Sequence, residues 1–96
     1  MITASAAIQM LPKTSDGTEI KIIDSIIKYI ASQGLKYFVG PFETVIEGEF
    51  DSVMRIICEC QKICISGGAD SLMSYIKINY SPSGILSIDE KVSKYN

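Results

Sequence analysis

Histidine and tryptophan are absent from the 96 residues, and arginine occurs once, at Arg55. Without an imidazole the chain can build no Ser–His or Cys–His nucleophile and no His-ligated metal centre, which removes most familiar hydrolase chemistries. Retaining-glycosidase chemistry would need a cleft around two carboxylates that a chain this short hardly forms. No run of about 20 apolar residues exists to span a bilayer, so no membrane partner is expected. Positive charge is not in excess either: nine basic against eleven acidic side chains leave a formal net charge of −2. A phosphate-backbone binder carries the opposite balance, so nucleic acid is not expected as a partner.

What is present is a globular composition, 47% hydrophobic and 21% charged, too apolar for a disordered segment. The length fits one compact domain, residues 1–96, burying a little over ~60% of its unfolded surface. Met1-Ile2-Thr3-Ala4-Ser5 shows no basic n-region followed by an apolar h-region, as a secretory signal would. Cys58, Cys60 and Cys64 are an odd number in one short segment, which reads as reduced thiols rather than a disulfide framework. A cytoplasmic location is the expectation. On a helix Cys60 and Cys64 meet, but Cys58 lies about 200° around the axis from Cys60, so the three close no tetrahedral metal site. Small buried hydrophobes are the simpler role for them, and no metal is expected.

Along the chain, Ile2–Leu11 alternates as a strand, with Ala4, Ala6, Ile8 and Met10 on one parity, and Pro12 is expected to close it. Glu19–Gln33 has helical period, with Ile20, Ile23, Ile27 and Ile30 on its stripe, widened by Ile26 and Ala31, and Gly34 as its stop. Leu35–Val39 and Thr44–Glu49 form a hairpin through Gly40-Pro41-Phe42-Glu43. Asp51 is the expected N-cap of a second helix, Ser52–Ser66, with Val53, Ile56, Ile57, Cys60, Ile63 and Cys64 as its apolar stripe. Leu72–Tyr80 is the last strand, and Ser87-Ile88-Asp89-Glu90 is a capping box opening a short tail helix lined on one side by Ile88, Val92 and Tyr95. The order β-α-β-β-α-β predicts an α+β, ferredoxin-like domain: a four-stranded antiparallel sheet, two helices on one face, and a short C-terminal helix. The second sheet face, carrying Leu11, Phe38, Val45, Met73 and Tyr75, is too apolar for open water, so a homo-oligomer is expected to cover it.

Gly34-Leu35-Lys36-Tyr37-Phe38-Val39-Gly40-Pro41 followed by Thr44-Val45-Ile46-Glu47-Gly48-Glu49-Phe50 resembles the family of small thiamine-binding proteins of about 100 residues. The ending from Ser87 to Tyr95 is similar to family members that close on EEKVSKY, so the resemblance covers nearly the whole chain. It implies a ferredoxin-like protomer, a homotetramer (a dimer of dimers), and reversible binding of thiamine or its hydroxymethylpyrimidine portion without catalysis and without a required cofactor. The chain departs from the family pattern in two ways. Ser71-Leu72 stands where many relatives have Arg-Val, removing a charge, and Ser74 stands where a Thr is usual, keeping a hydroxyl.

Tyr37, Thr44 and Ser74 share the parity of Val39, Ile46 and Ile76, which is assigned to the helix-facing side. A buried hydroxyl without a partner costs ~1–3 kcal/mol, so polar groups there need a reason. One is a pocket whose hydroxyls meet the aminopyrimidine; the other is ordinary bonding to nearby backbone. Glu47 and Glu49 flank Gly48 on one face, where Glu47 either offsets the thiazolium charge or pairs with Lys36 or Lys77. Ser5, with Gln9, either reaches a ligand or a partner's sheet, or is solvated. The ligand-binding candidates are therefore Tyr37, Thr44, Glu47, Ser74 and Ser5. An oligomeric regulatory or assembly module, binding another metabolite or none, is the competing expectation.

Overall fold

Alternation in the first segment sends Ala4, Ala6, Ile8 and Met10 to one side, and all four are buried there in the computed structural model, which describes residues 1–95. They belong to strand β1 (Ala4–Lys13). Helix α1 (Glu19–Ser32), strands β2 (Lys36–Val39) and β3 (Thr44–Gly48), helix α2 (Phe50–Ser66), strand β4 (Ser71–Tyr80) and a short helix α3 (Ile88–Val92) follow. The strands make one antiparallel sheet in the order β2-β3-β1-β4, and α1 and α2 bury their apolar rows against the Ala4–Met10 face. This is the ferredoxin-like architecture that the element order predicts. The alanines, poor strand formers, make sense in the packing: Ala4 and Ala6 lie at the floor of the core, where short side chains let the helices come close.

Pro12, expected to end the first strand, lies inside it, paired with Leu72 of β4. The reason is an incomplete neighbour. β3 pairs with β1 only from Ala4 to Ile8, so beyond Ile8 one side of β1 has no adjacent strand. Thr3 turns its carbonyl toward β4 and accepts from the Ser81 N–H at 2.9 Å. Ladder alternation then aims the peptide groups of the even-numbered β1 residues the other way. The N–H that Pro12 lacks falls on the open edge, where no ladder needs it.

The first helix is rotated from its expected setting. Ile22, Ile26 and Ile30 form the buried row, whereas Ile20 is 76% exposed. Ile23 and Ile27 are half-buried on the flank of that row. The second helix begins at Phe50, two residues earlier than expected, and its cap comes from elsewhere in the fold. Glu49 occupies the N-cap position without a side-chain bond, and the Phe50 N–H donates to Thr3 Oγ1 at 2.9 Å. A hydroxyl from the residue just ahead of β1 thus takes the capping role expected of Asp51. Phe50 also stacks on Tyr80, ring centroids 4.0 Å apart, tying the start of α2 to the end of β4. The α2 stripe otherwise holds, with Val53, Ile56, Ile57, Cys60 and Cys64 buried.

Burial, reinforced by Cys64 and Glu59, pushes the Cys60 thiol up to about 12, and burial also raises Cys64. Both therefore stay protonated, and poorly nucleophilic, through the physiological range. Cys58 is exposed. Iodoacetamide at pH 8 is expected to label Cys58 alone in the folded protein, with Cys60 and Cys64 reacting only after denaturation. Mass spectrometry showing all three alkylated under native conditions would contradict this packing.

The other sheet face presents Leu11, Phe38, Met73 and Tyr75, each about half exposed. The Ser87–Glu90 capping box forms as the sequence predicts: Glu90 N–H donates to Ser87 Oγ at 3.0 Å and Ser87 N–H to Glu90 Oε1 at 2.9 Å. Those bonds from Ser87 hold the Glu90 carboxyl below its usual range. The box is therefore complete above the ordinary carboxylate range and loosens as pH falls through the lowered value. Tyr95, expected on the packed side of this helix, lies beyond it and is 75% exposed.

Candidate functional site

Where β3 stops opposite Ile8, the sheet leaves a gap between β1 and the overlying α1. The gap is a cleft of about 330 Å³, walled by Ile8 and Met10 of β1 and by Ile23, Ile26, Ile27 and Ile30 of α1. The turn from Gly40 to Glu43 forms its lip, with Thr44 beside it and Gln9 and Leu11 along the free edge of β1. The turn is held by the Gly40 N–H, which donates to the Glu43 carbonyl at 3.0 Å. A Cβ on Gly40 would stand 2.9 Å from that same carbonyl oxygen, so the tight return needs glycine there. The volume lies at the lower end of small-molecule sites, about 300–1,000 Å³, and mostly apolar walls with few polar groups are typical of them. Six aliphatic side chains make a slot suited to a flat, largely apolar ring, while Thr44, of the helix-facing parity, carries a polar side chain at its mouth.

The five candidates from the sequence separate into four places. Thr44 lines the cleft. Tyr37 and Ser74 are on the same sheet face, as their parity predicts, but on β2 and β4, the two outer strands. Three strand spacings, about 14 Å, separate these edges, so one small ligand does not bridge them. Ser74 instead donates to Gln61 Oε1 of α2 at 3.3 Å. Ser5 and Glu47 are register partners on the opposite face, both buried.

Glu47 has a specific partner there. Its Oε2 accepts the Ile88 N–H at 2.7 Å, which sets a carboxylate at the start of α3. Lys36, opposite Glu47 in the β2–β3 ladder, reaches Asp89 of the same helix at 3.1 Å. Neither expected lysine therefore pairs with Glu47 or Glu49: Lys36 holds α3, and Lys77 pairs with Glu43 at 3.0 Å. This polar cluster clasps the tail to its own sheet.

The cleft walls Ile23 and Ile27 and the lip residue Phe42 are absent from the sequence candidates. Ile23 and Ile27 read as core on a helical stripe, which hides a wall. Phe42 did leave a signal: a large aromatic at the tip of a Pro-containing turn, 79% exposed, has no folding reason to be there. Among the described residues no group of three or more His, Cys, Asp or Glu side chains could hold a metal ion. No helix among them is long and apolar enough to cross a membrane.

Comparison with known proteins agrees with this frame. The chain is 41% identical over 95 residues to a UPF0045 protein of Clostridium perfringens, covering 99% of each. The fold superposes with a TM-score of 0.91 on a domain of unknown function, DUF77, from Bacillus cereus, at 32% identity, covering 98% of this chain and 90% of that one. A Thermotoga maritima protein described as a putative thiamine biosynthesis/salvage protein superposes with a TM-score of 0.86 at 36% identity, covering 98% of this chain and 99% of that one. The family model for thiamine-binding proteins matches residues 6–96. With that match spanning nearly the whole sequence, the chain belongs to the thiamine-binding protein family.

Proposed function

We propose that this chain binds thiamine, or its hydroxymethylpyrimidine moiety, reversibly and without catalysis in the cleft between α1 and the sheet, serving to sequester or sense the vitamin in the cytoplasm. The observation that carries the reading is the cleft itself, an isoleucine-walled slot of about 330 Å³ with Thr44 at its mouth, in a chain of this family. The pyrimidine lies between the Ile8–Met10 edge and the Ile23–Ile27 flank, and the Thr44 hydroxyl meets its polar edge. The thiazolium extends past the turn, where Phe42 offers an aromatic face for a cation. Glu47 in this reading holds α3 and takes no part in contacting the ring.

The assembly is a homotetramer, a dimer of dimers, that buries the face bearing Leu11, Phe38, Met73 and Tyr75; so much exposed apolar surface on one side is the support for it. The same face favours a second reading, an assembly module with no vitamin ligand. Calorimetric titration of thiamine, run beside sedimentation velocity, separates the two. The expected result is micromolar binding to a tetramer. A tetramer that gives no heat with thiamine or hydroxymethylpyrimidine favours the assembly module and overturns the first reading.

A further inference from the structure

In β1, Ala4, Ala6 and Ile8 pair with Gly48, Ile46 and Thr44 of β3, and the next residue of that parity is Met10. Its ladder partner would be Phe42, but Phe42 is in the turn and bends away, 79% exposed. The β2–β3 hairpin gives the same parity independently. The Gly40 N–H bonds the Glu43 carbonyl, and Phe38 and Lys36 stand opposite Val45 and Glu47, so the odd residues of β3 turn their peptide groups to β2 and the even ones to β1. The Met10 N–H and C=O thus point past the end of β3, toward the cleft that Met10 lines. No backbone bond outside the ladders and no side-chain bond engages them among the described residues. An edge strand presents such unpaired groups as a ready template, and here the donor–acceptor pair belongs to a residue that lines an apolar slot.

We infer that the Met10 main-chain N–H and C=O form the recognition edge of the cleft, taking a flat heteroaromatic ring that presents a ring-nitrogen acceptor beside an exocyclic amine donor. This rests on the vitamin-binding reading and adds to it the element that selects an aminopyrimidine. The chemistry is complementary: the N–H donates to the ring nitrogen, and the adjacent amine donates to the C=O. Both groups come from one residue, so the pair is rigid and needs no side-chain ordering on binding. An added peptide strand is the other natural occupant of a free edge, but the next residue of this parity is Pro12, which has no N–H. The free edge therefore offers one donor–acceptor pair and not a ladder, enough for a ring and too little for strand addition.

The test is amide hydrogen exchange followed by NMR on the intact 15N-labelled protein, with and without saturating hydroxymethylpyrimidine, alongside calorimetry. Without ligand the Met10 amide should exchange much faster than those of Ala6 and Ile8. On binding it should slow at least about tenfold while the other two change little. The analogue with hydrogen in place of the amine should bind about tenfold more weakly, because the Met10 carbonyl is left unpaired. Ligand heat with an unchanged Met10 exchange rate would overturn the recognition edge while leaving vitamin binding intact. No heat at all would overturn both. Equal affinity for the analogue lacking the amine would overturn the pairing to the carbonyl.

Discussion

With Ile27 replaced by tryptophan, thiamine affinity is expected to fall at least about 100-fold, equivalent to about 2.7 kcal/mol, in a protein that still folds. Ile27 is half-buried on α1 and its side chain lines the cleft. An indole there occupies the slot that the pyrimidine must enter, and the walls opposite, Ile8 and Met10, belong to a strand paired along its length with β4 and have little room to retreat. Overpacking an enclosed core costs about 1–3 kcal/mol, but this position borders open volume, so the cost should lie at the lower end. Circular dichroism melts establish that the variant is folded, and calorimetry reads the affinity. The contrast is Glu47→Gln on the opposite face, for which affinity should stay within about twofold, since that carboxylate bonds the start of α3 and lies across the sheet from the cleft. Wild-type affinity in Ile27→Trp with a large loss in Glu47→Gln would move the ligand to the α3 face.

Several of these placements follow from alternation and several do not. The parity of Tyr37, Thr44 and Ser74 was legible because a strand's period of two fixes which residues share a face once one is known to be buried. Their distance from one another was not. Tyr37 and Ser74 stand on the two edges of the sheet because of the strand order β2-β3-β1-β4, and that order is set by connection topology, not by any residue of the strands. The pairing of Ser5 with Glu47, and the clasp from Glu47 to Ile88, arise between segments distant in sequence and leave no local pattern. The Ser87–Glu90 box, by contrast, is wholly local and could be read directly. The cleft depends on β3 being shorter than β1, a mismatch visible only when the two are side by side. Pro12 lies inside β1 and not at its expected end for the same reason: a proline ends a strand only where both edges are paired.

The setting of α1 is the largest energetic consequence, because it decides both the core and the wall of the cleft. Six isoleucines lie between positions 20 and 30, so helical periodicity supports more than one buried row. The structure chooses Ile22, Ile26 and Ile30; Ile22 is 3% exposed and Ile20 76%. Ile22→Ala is therefore expected to destabilise by about 2–5 kcal/mol, the transfer cost of the lost methylenes plus the cavity left behind. That is a large share of the about 5–15 kcal/mol available to a domain of this size, and lowers the melting temperature by about 10–30 °C. Ile20→Ala removes the same atoms from solvent-facing surface. It should change stability by less than about 0.5 kcal/mol, since alanine's better helix propensity offsets what little burial is lost. Urea unfolding of both variants measures the difference directly, with unchanged m-values confirming that the same cooperative unit unfolds. If the two variants lose stability equally, α1 is rotated toward its Ile20 row. Ile23 and Ile27 would then turn into the core, and the slot for the pyrimidine would lose the wall that they form.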